Sequence, residues 1–304
     1  MQKSHAIPKA TGDIMKEEVF KKYEQAGQIL VDVMESVKDK VKIGASLLDV
    51  ADFVENLIRE KGAQPAFPCN ISRNDEAAHA TPSTKDISVF GRDMVKLDIG
   101  VQVDGYIADS AITVDLSDNA DLVESSRSAL RSAIDIIRAG IKTTEIGAVI
   151  ESTIESFGYR PVANLTGHGL ARWDHHASPS IPNRAVLYGA TLKEGDVIAI
   201  EPFATNGSGH VSERGAAEIY RLETLKPVRL PAARKLLKHI EAYRMLPFAK
   251  RWLPQTRLDF ILNQLERSGI LYSYPVLKDD AGGLISQAEH TVIVEKDGCL
   301  VITE

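Results

Sequence analysis

Two aspartates on either side of a predicted β-turn are the first residues in this chain whose spacing could support chemistry. Asp98 and Asp109 flank the dipeptide Asp104-Gly105, a strong hairpin signal. A two-residue loop there pairs Gly100 with Asp109, so both carboxylates lie on one face of the hairpin as diagonal neighbours. On a largely apolar face, two carboxylates repel each other and lose hydration unless a cation lies between them. The pair therefore predicts a metal site.

Three further residues could complete that site. His168 lies between two glycines, where we expect a loop to start, while Glu201 ends one apolar strand and Glu289 opens another. Acidic residues at the ends of apolar strands are rarely structural. Four carboxylates and one imidazole suit two ions such as Mn²⁺, Fe²⁺ or Co²⁺ better than a structural zinc ion. Hairpin aspartates are more often simply solvated, so the prediction depends on the whole set.

These residues lie in short stretches that resemble the methionine aminopeptidases, and among them the type 2 branch. The stretches occur in the family's order and are Lys96-Leu97-Asp98-Ile99-Gly100, Ile107-Ala108-Asp109-Ser110-Ala111, Thr166-Gly167-His168-Gly169, Ile200-Glu201-Pro202-Phe203 and Glu289-His290-Thr291. A helical insert with Arg251-Trp252-Leu253 and Tyr274-Pro275 is the feature that separates type 2 from type 1. The short segment before the first helix resembles the archaeal form. The stretch Gln287-Ala288-Glu289 departs from type 2, which commonly has a phenylalanine there.

The resemblance implies removal of the initiator methionine from nascent proteins, with two divalent metal ions (Co, Mn, Fe or Zn) as cofactors. Asp98 and Asp109 would hold one ion and His168 and Glu201 the other, with Asp109 or Glu289 as the bridge. Water between two such ions has a lowered pKa and can attack a peptide bond. Glu201 would pass the water's proton to the leaving amine as general base and then acid.

The resemblance also implies residues that act on the substrate. His79 would hydrogen-bond near the scissile nitrogen, and His176 would polarise the scissile carbonyl. Taken alone, each histidine is more often an ordinary surface or core residue, and the neighbouring His175 leaves the register open; spacing from His168 and Glu201 favours His176. Phe67 and Tyr274 are implied for the methionine pocket, although both could equally be core aromatics.

Two alternative functions remain for the chain. An Xaa-Pro aminopeptidase or prolidase would carry the same five ligands, but also a separate N-terminal domain, and would lack the helical insert. A non-catalytic member of the fold that binds ribosomes or RNA would have lost ligands that this chain keeps.

The elements that must position these residues follow from apolar stripes of helical spacing within Met15–Val41, Leu47–Ile58, Leu122–Ile137 and Ile146–Phe157. An internal repeat is indicated by residues that recur 96 positions later: Gly44, Gly62 and Pro65 match Gly140, Gly158 and Pro161. Strand-type segments follow each helix pair, namely Met94–Asp98, Tyr106–Leu116, Asp196–Phe203 and His290–Glu295. We expect an α+β fold of two pseudo-symmetric halves that share an antiparallel sheet, which the resemblance identifies as the pita-bread fold.

The domain prediction is a single metallopeptidase domain, 1–304, with a helical insert at 221–275. Basic residues of the insert could touch RNA or the ribosome, but a solvated helix face is the preferred interpretation; they are Arg234, Lys235, Lys238 and His239, with Lys250 and Arg251 further on.

Composition narrows the class of protein further. The chain has 304 residues, 44% of them apolar, and a net charge of −6, so it can bury a core and offers no global cationic field for nucleic acid. Met1–Lys22 shows no signal-peptide core, no run is long and apolar enough for a membrane span, and Cys69 and Cys299 form no metal-type pair. We expect a cytoplasmic monomer that acts on nascent polypeptide N-termini, without a membrane or a specific nucleic acid as partner.

Overall fold

The computed structural model describes residues 15–254 and 257–304. Its helices are α1 (Glu17–Lys38), α2 (Leu47–Glu60), α3 (Ala120–Ile136), α4 (Thr143–Ser156), α5 (Pro231–Ile240) and α6 (Leu258–Arg267). Its strands are β1 (Gln64–Pro65), β2 (Asn70–Arg73), β3 (Glu76–Ala78), β4 (Met94–Val103), β5 (Tyr106–Asp115), β6 (Arg160–Pro161), β7 (Thr166–Ala171), β8 (Asp174–Pro182), β9 (Val197–Ile200), β10 (Phe203–Thr205), β11 (Val211–Leu222), β12 (Phe248–Ala249), β13 (Leu271–Asp279), β14 (Ile285–Gln287), β15 (His290–Val294) and β16 (Cys299–Val301). Within these two ranges no helix is long and apolar enough to cross a membrane. Most of Met1–Lys22, residues 1–14, lies outside the described residues.

The predicted internal repeat is confirmed in the second helix of each pair. Helices α2 and α4 begin and end at positions 96 residues apart. The glycines before them have φ angles of +86° (Gly44) and +89° (Gly140), and those after them have +85° (Gly62) and +82° (Gly158). Only glycine adopts this left-handed backbone without strain, which explains why the same residue stands at both equivalent positions.

The hairpin that carries the two aspartates is formed by β4 and β5. Its turn residues Asp104 and Gly105 have φ angles of +51° and +86°, as the preferred two-residue hairpin turn requires. The register places Gly100 opposite Asp109, as predicted. Strands β1 and β2 pair with β4, and α1 and α2 pack their apolar faces on this hairpin.

The second half repeats this layering with a five-stranded antiparallel sheet in the order β16-β15-β9-β7-β8. Helices α3 and α4 cover it with a separate cluster of buried residues. An antiparallel bridge between Ala111 and Glu289 joins the two halves. The α+β arrangement of two helix-backed halves is therefore confirmed.

The helices α5 and α6 pack into a third apolar cluster beside the long β11–β13 pair. A buried ion pair between Arg251 and Glu55 of α2 attaches this part to the first half, and Trp252 Nε1 donates to Glu55 Oε2 over 2.6 Å. Arg251 also donates to Thr81 Oγ1 over 2.7 Å. The predicted basic residues of α5 are exposed, as a solvated helix face should be; they are Arg234, Lys235, Lys238 and His239. The same expectation is wrong for Arg251, whose side chain is buried because it pairs with Glu55.

Candidate active site

A cavity of about 390 Å³ opens between the two halves of the molecule. The residues that line it include all five predicted ligands together with most of the residues expected to act on substrate: Asp98, Asp109, His168, Glu201 and Glu289, and Phe67, His79 and His176. The chain therefore brings into one cavity residues that lie as far apart in sequence as Phe67 and Glu289.

The main-chain contacts of Asp109 and Glu289 fix two of the carboxylates relative to each other. Asp109 N donates to Thr291 Oγ1, and that hydroxyl donates to Asp109 O, both over 2.8 Å. Ser110 Oγ donates to Glu289 O over 2.7 Å. Asp109 and Glu289 are each only 2% exposed, so the seam between the two halves buries both carboxylates in the lining of the cavity.

His168 lies inside strand β7, so the predicted loop start is wrong. The flanking glycines serve close packing: a Cβ on Gly167 would lie 2.4 Å from Ala199 O, and one on Gly169 would lie 2.2 Å from Ser178 O. His168 Nδ1 lies 3.2 Å from Gly169 O, which leaves Nε2 free to bind a metal. That Nε2 lies 3.6 Å from Glu201 Oε1 and 3.9 Å from Asp109 Oδ2.

Glu201 stands at a break between strands. The predicted single strand Asp196–Phe203 is wrong, because β9 ends at Ile200 and β10, which starts at Phe203, joins a different sheet. Pro202 has no N–H to donate to the ladder, which explains the break. Asn183 Nδ2 donates to Glu201 O over 3.1 Å and holds the bend.

The electrostatics of the cavity favour a cation. Burial, reinforced by the neighbouring carboxylates, raises the pKa of Asp98, Glu201 and Glu289 well above the ordinary carboxyl values. Among the described residues, the buried Oδ1 atoms of Asp98 and Asp109 have no hydrogen-bond partner. Burial and the nearby His175 lower the pKa of His168 to about 4, so its imidazole is in the neutral, ligating form. The four carboxylates and the neutral imidazole of His168 together fit divalent metal ions.

His79 lies at the edge of the cavity with a left-handed backbone, at a φ of +65°. Its Nδ1 lies 3.3 Å from Pro275 O. Burial is the main cause that lowers the pKa of His79 to about 4, so the ring is neutral at physiological pH. A neutral ring that donates from Nδ1 presents Nε2 as a hydrogen-bond acceptor.

The other residues expected to touch substrate surround the histidines. His176 lies exposed at the mouth of the cavity, with its ring 4.6 Å from that of His168. Phe67 is 4% exposed and lies against Gly100, where any Cβ would collide with its ring. Tyr274 is not a lining residue, but its ring packs 5.1 Å from His79 and 6.3 Å from His176.

Two residues in the site were named in the sequence analysis but not assigned to the site, His175 as the alternative register to His176 and Gln287 as a departure from the type 2 pattern. His175 Nε2 lies 2.9 Å from Asp109 Oδ2, although only His176 of the pair was expected here. Gln287 Nε2 donates to Asp98 Oδ2 over 3.4 Å and to Glu289 Oε2 over 3.3 Å. For Gln287, the signal available in the sequence was its position two residues before Glu289, since residues two apart along an extended chain share a face.

Comparison with known proteins places this geometry in context. A model of metallopeptidase family M24 matches residues 21–229. A methionine aminopeptidase of Archaeoglobus fulgidus is 51% identical over 292 residues, 95% of this chain and 100% of that protein. One from Methanocaldococcus jannaschii is 45% identical over 294 residues, 95% of this chain and 100% of that protein.

Solved structures share the fold at lower sequence identity. A methionine aminopeptidase from Thermotoga maritima has a TM-score of 0.71 at 21% identity, covering 95% of this chain and 98% of the other. A thermophilic Arx1 has a TM-score of 0.83 at 18% identity, covering 95% and 91%. Prolidase from Pyrococcus furiosus has a TM-score of 0.62 at 19% identity, and the match covers 95% of this chain but 64% of the prolidase. The expected pita-bread fold is confirmed.

Proposed function

The chain belongs to metallopeptidase family M24, and from this premise we propose how its cavity removes the initiator methionine from nascent proteins. It is a metal-dependent aminopeptidase, as its archaeal relatives at 45–51% identity are. The observation that carries the proposal is that four carboxylates and one imidazole, drawn from both halves, converge on one buried cavity.

The proposed cofactor is a pair of divalent metal ions. Asp98, Asp109, His168, Glu201 and Glu289 would hold them, and the unpartnered buried oxygens of the two aspartates support this assignment. When bound, such ions polarise a peptide carbonyl and lower the pKa of a water molecule.

The carboxylate of Glu201 is placed to move the proton. Burial and the neighbouring carboxylates raise its pKa, so this carboxylate is a stronger base than a solvent-exposed glutamate. Glu201 can therefore take a proton from the attacking water and hand it to the leaving amine. His79 Nε2 accepts the N–H of the scissile peptide while Nδ1 donates to Pro275 O. His176, at the mouth, donates to the oxygen of the scissile carbonyl as negative charge develops there.

The methionine side chain would enter between Phe67 and the ring of Tyr274. An unbranched thioether fits a narrow apolar slot, and sulfur–aromatic contacts contribute about 0.3–1.5 kcal/mol each. Tyr274 lies on β13, at the end of the insert, whereas Phe67 belongs to the first half. The pocket is thus closed from two sides.

We further propose that residues 1–304 act as a single metallopeptidase domain in which 221–275 is a helical insert. The pairing of β11 with β13 at the two ends of that segment, and its separate apolar cluster, support this division. We also propose that the chain is a cytoplasmic monomer that acts on nascent chains, as its similarity to methionine aminopeptidases supports.

The test is a peptide assay with and without added metal ions. The protein should release methionine from Met-Gly-Ser only when metal is present, and should leave Ala-Pro peptides intact. Cleavage of the Ala-Pro peptides in preference to Met-Gly-Ser would favour an Xaa-Pro aminopeptidase. No hydrolysis of either peptide with Co²⁺, Mn²⁺, Fe²⁺ or Zn²⁺ would point to the non-catalytic alternative.

A further inference from the structure

His175 occupies a position that the five-ligand set does not use. Its Nε2 lies 2.9 Å from Asp109 Oδ2, and its side chain is 12% exposed against 2% for the aspartate. Its ring packs 4.5 Å from that of Phe67 and 4.9 Å from that of His168. His175 is therefore held inside the cavity, against a carboxylate of the proposed metal site.

A bulge in strand β8 places both His175 and His176 on the cavity side. Neighbours along a regular strand point to opposite faces of the sheet. Here Ala171 pairs with Asp174 but Gly169 pairs with Ala177, so β8 advances by three residues where β7 advances by two. One extra residue in a strand re-aims the side chains around it, which bulges commonly do beside active sites.

The geometry matches that of ligands on a shared ion. Two atoms that each bind one ion at about 2.0–2.2 Å lie about 3 Å apart when they are adjacent in its coordination sphere. Nitrogen atoms of His168, His175 and His176 all lie within 4.8 Å of one another, and so do ligand atoms of Asp109, His168 and Glu289. Nε2 atoms of His168 and His175 both face Asp109 Oδ2, at 3.9 and 2.9 Å.

We propose that His175 is a sixth metal ligand, which binds through Nε2 the ion that Asp109 and His168 hold. This inference rests on the proposed two-metal function and extends it. A second imidazole raises the affinity of that position for Co²⁺ and Zn²⁺ relative to Mn²⁺, because imidazole suits the former and carboxylate the latter.

The test compares the metal-free full-length protein with its variants His175→Leu and His175→Gln in Co²⁺ and Mn²⁺ titrations. Gln keeps a hydrogen-bond donor for Asp109 but is a poor ligand, so both variants should lose Co²⁺ affinity by at least about tenfold, and lose less affinity for Mn²⁺. His210→Leu is the matched control, since it removes a His–Asp contact of the same 2.9 Å length outside the cavity.

Proton NMR of the Co²⁺-loaded protein counts ligating histidines without reference to activity. We expect two strongly shifted, exchangeable imidazole N–H signals in the unmodified chain and one in His175→Leu. The wild-type count stands on its own if a variant fails to fold. One signal in the unmodified chain, or unchanged Co²⁺ affinity in His175→Gln, would show that His175 only orients Asp109. Failure of the unmodified chain to bind Co²⁺ at all would contradict the proposed function itself.

Discussion

Crowding of negative charge is the main feature of the site at the scale of residues. Asp109 and Glu289 are each 2% exposed, and Asp98 and Glu201 complete the group. Four carboxylates at such close range cannot all be ionised without a compensating cation, and the nearby amide of Gln287 carries no charge. Metal binding and the stability of this group are therefore coupled.

The first prediction follows from that coupling. Asp109→Asn or Glu289→Gln should abolish methionine release, because each removes a charged oxygen from the metal ions. The metal-free variants should also unfold at a higher temperature than the metal-free wild type, since one buried repelling charge is gone. Metal analysis and thermal unfolding measure the two effects. A variant that retains both the metal and the rate would remove that residue from the ligand set.

The second prediction concerns the histidines that act on substrate. His79→Ala and His176→Ala should each lower kcat by roughly 10²-fold or more, because the two histidine side chains stabilise the transition state. Metal content should stay unchanged in both variants. The ligand variants Asp109→Asn and Glu289→Gln, and His175→Leu, should instead bind metal more weakly. Loss of metal from His176→Ala would instead place His176 among the ligands.

The third prediction is a pH dependence from the neutral His79. Its pKa is lowered to about 4 in the folded protein, mainly by burial, against an ordinary value of about 6.5. The unfolded chain therefore binds the proton more tightly than the folded chain does. The stability that the neutral His79 contributes is present above pH 6.5 and is lost as the pH falls toward 4. The loss amounts to at most about 1.4 kcal/mol per pH unit.

Urea unfolding of the metal-free wild type and His79→Gln at several pH values checks this dependence. When the free energy of unfolding of His79→Gln is subtracted from that of the wild type, the contribution from titration of the carboxylates cancels. This difference should fall as the pH is lowered from 7 to 5. A difference independent of pH would mean that His79 has the same pKa in the folded and the unfolded chain.

At the scale of elements, local signals in the sequence predicted what local interactions decide. The Asp104-Gly105 turn specified the β4–β5 register, and repeated glycines at helix ends revealed the two halves. The break at Pro202 and the position of His168 inside β7 were not predicted, because strand partners far away in sequence determine both. The β8 bulge, which brings His175 into the cavity, likewise depends on long-range pairing with β7.

The fourth prediction concerns the attachment of the insert. Arg251 and Glu55 have side chains only 3% and 2% exposed, and they join Lys250–Trp252 to α2. Arg251→Leu leaves a buried, uncompensated carboxylate, which should cost about 3–5 kcal/mol of the free energy of unfolding. The double variant Arg251→Leu, Glu55→Leu should recover much of this loss. Urea unfolding measures the free energy of unfolding of both variants. Equal stability of Arg251→Leu and the double variant would show that the two side chains are not coupled.

At the scale of the whole molecule, the cavity exists only where three parts meet. The first half contributes Asp98 and Asp109, and the second contributes His168 and Glu201. Strand β13 contributes Leu277, and its Tyr274 packs behind the cavity histidines. The sequence resemblance predicted the ligands and Tyr274 as site residues, but the walls of the pocket depend on how the parts pack. Substrate selectivity is therefore the property that tests the assembled site.

The most direct measurement is kcat/KM for the metal-loaded protein on Met-Gly, Met-Arg and Leu-Gly peptides. Met-Gly should be the best substrate, because a large second side chain would meet the His176 ring before the carbonyl reaches its position. Leu-Gly should be slower by a factor that corresponds to about 1–3 kcal/mol, and Tyr274→Ala should raise KM and narrow that gap. Equal rates for Met-Gly and Met-Arg, or a faster Leu-Gly, would contradict an initiator-methionine site of this shape.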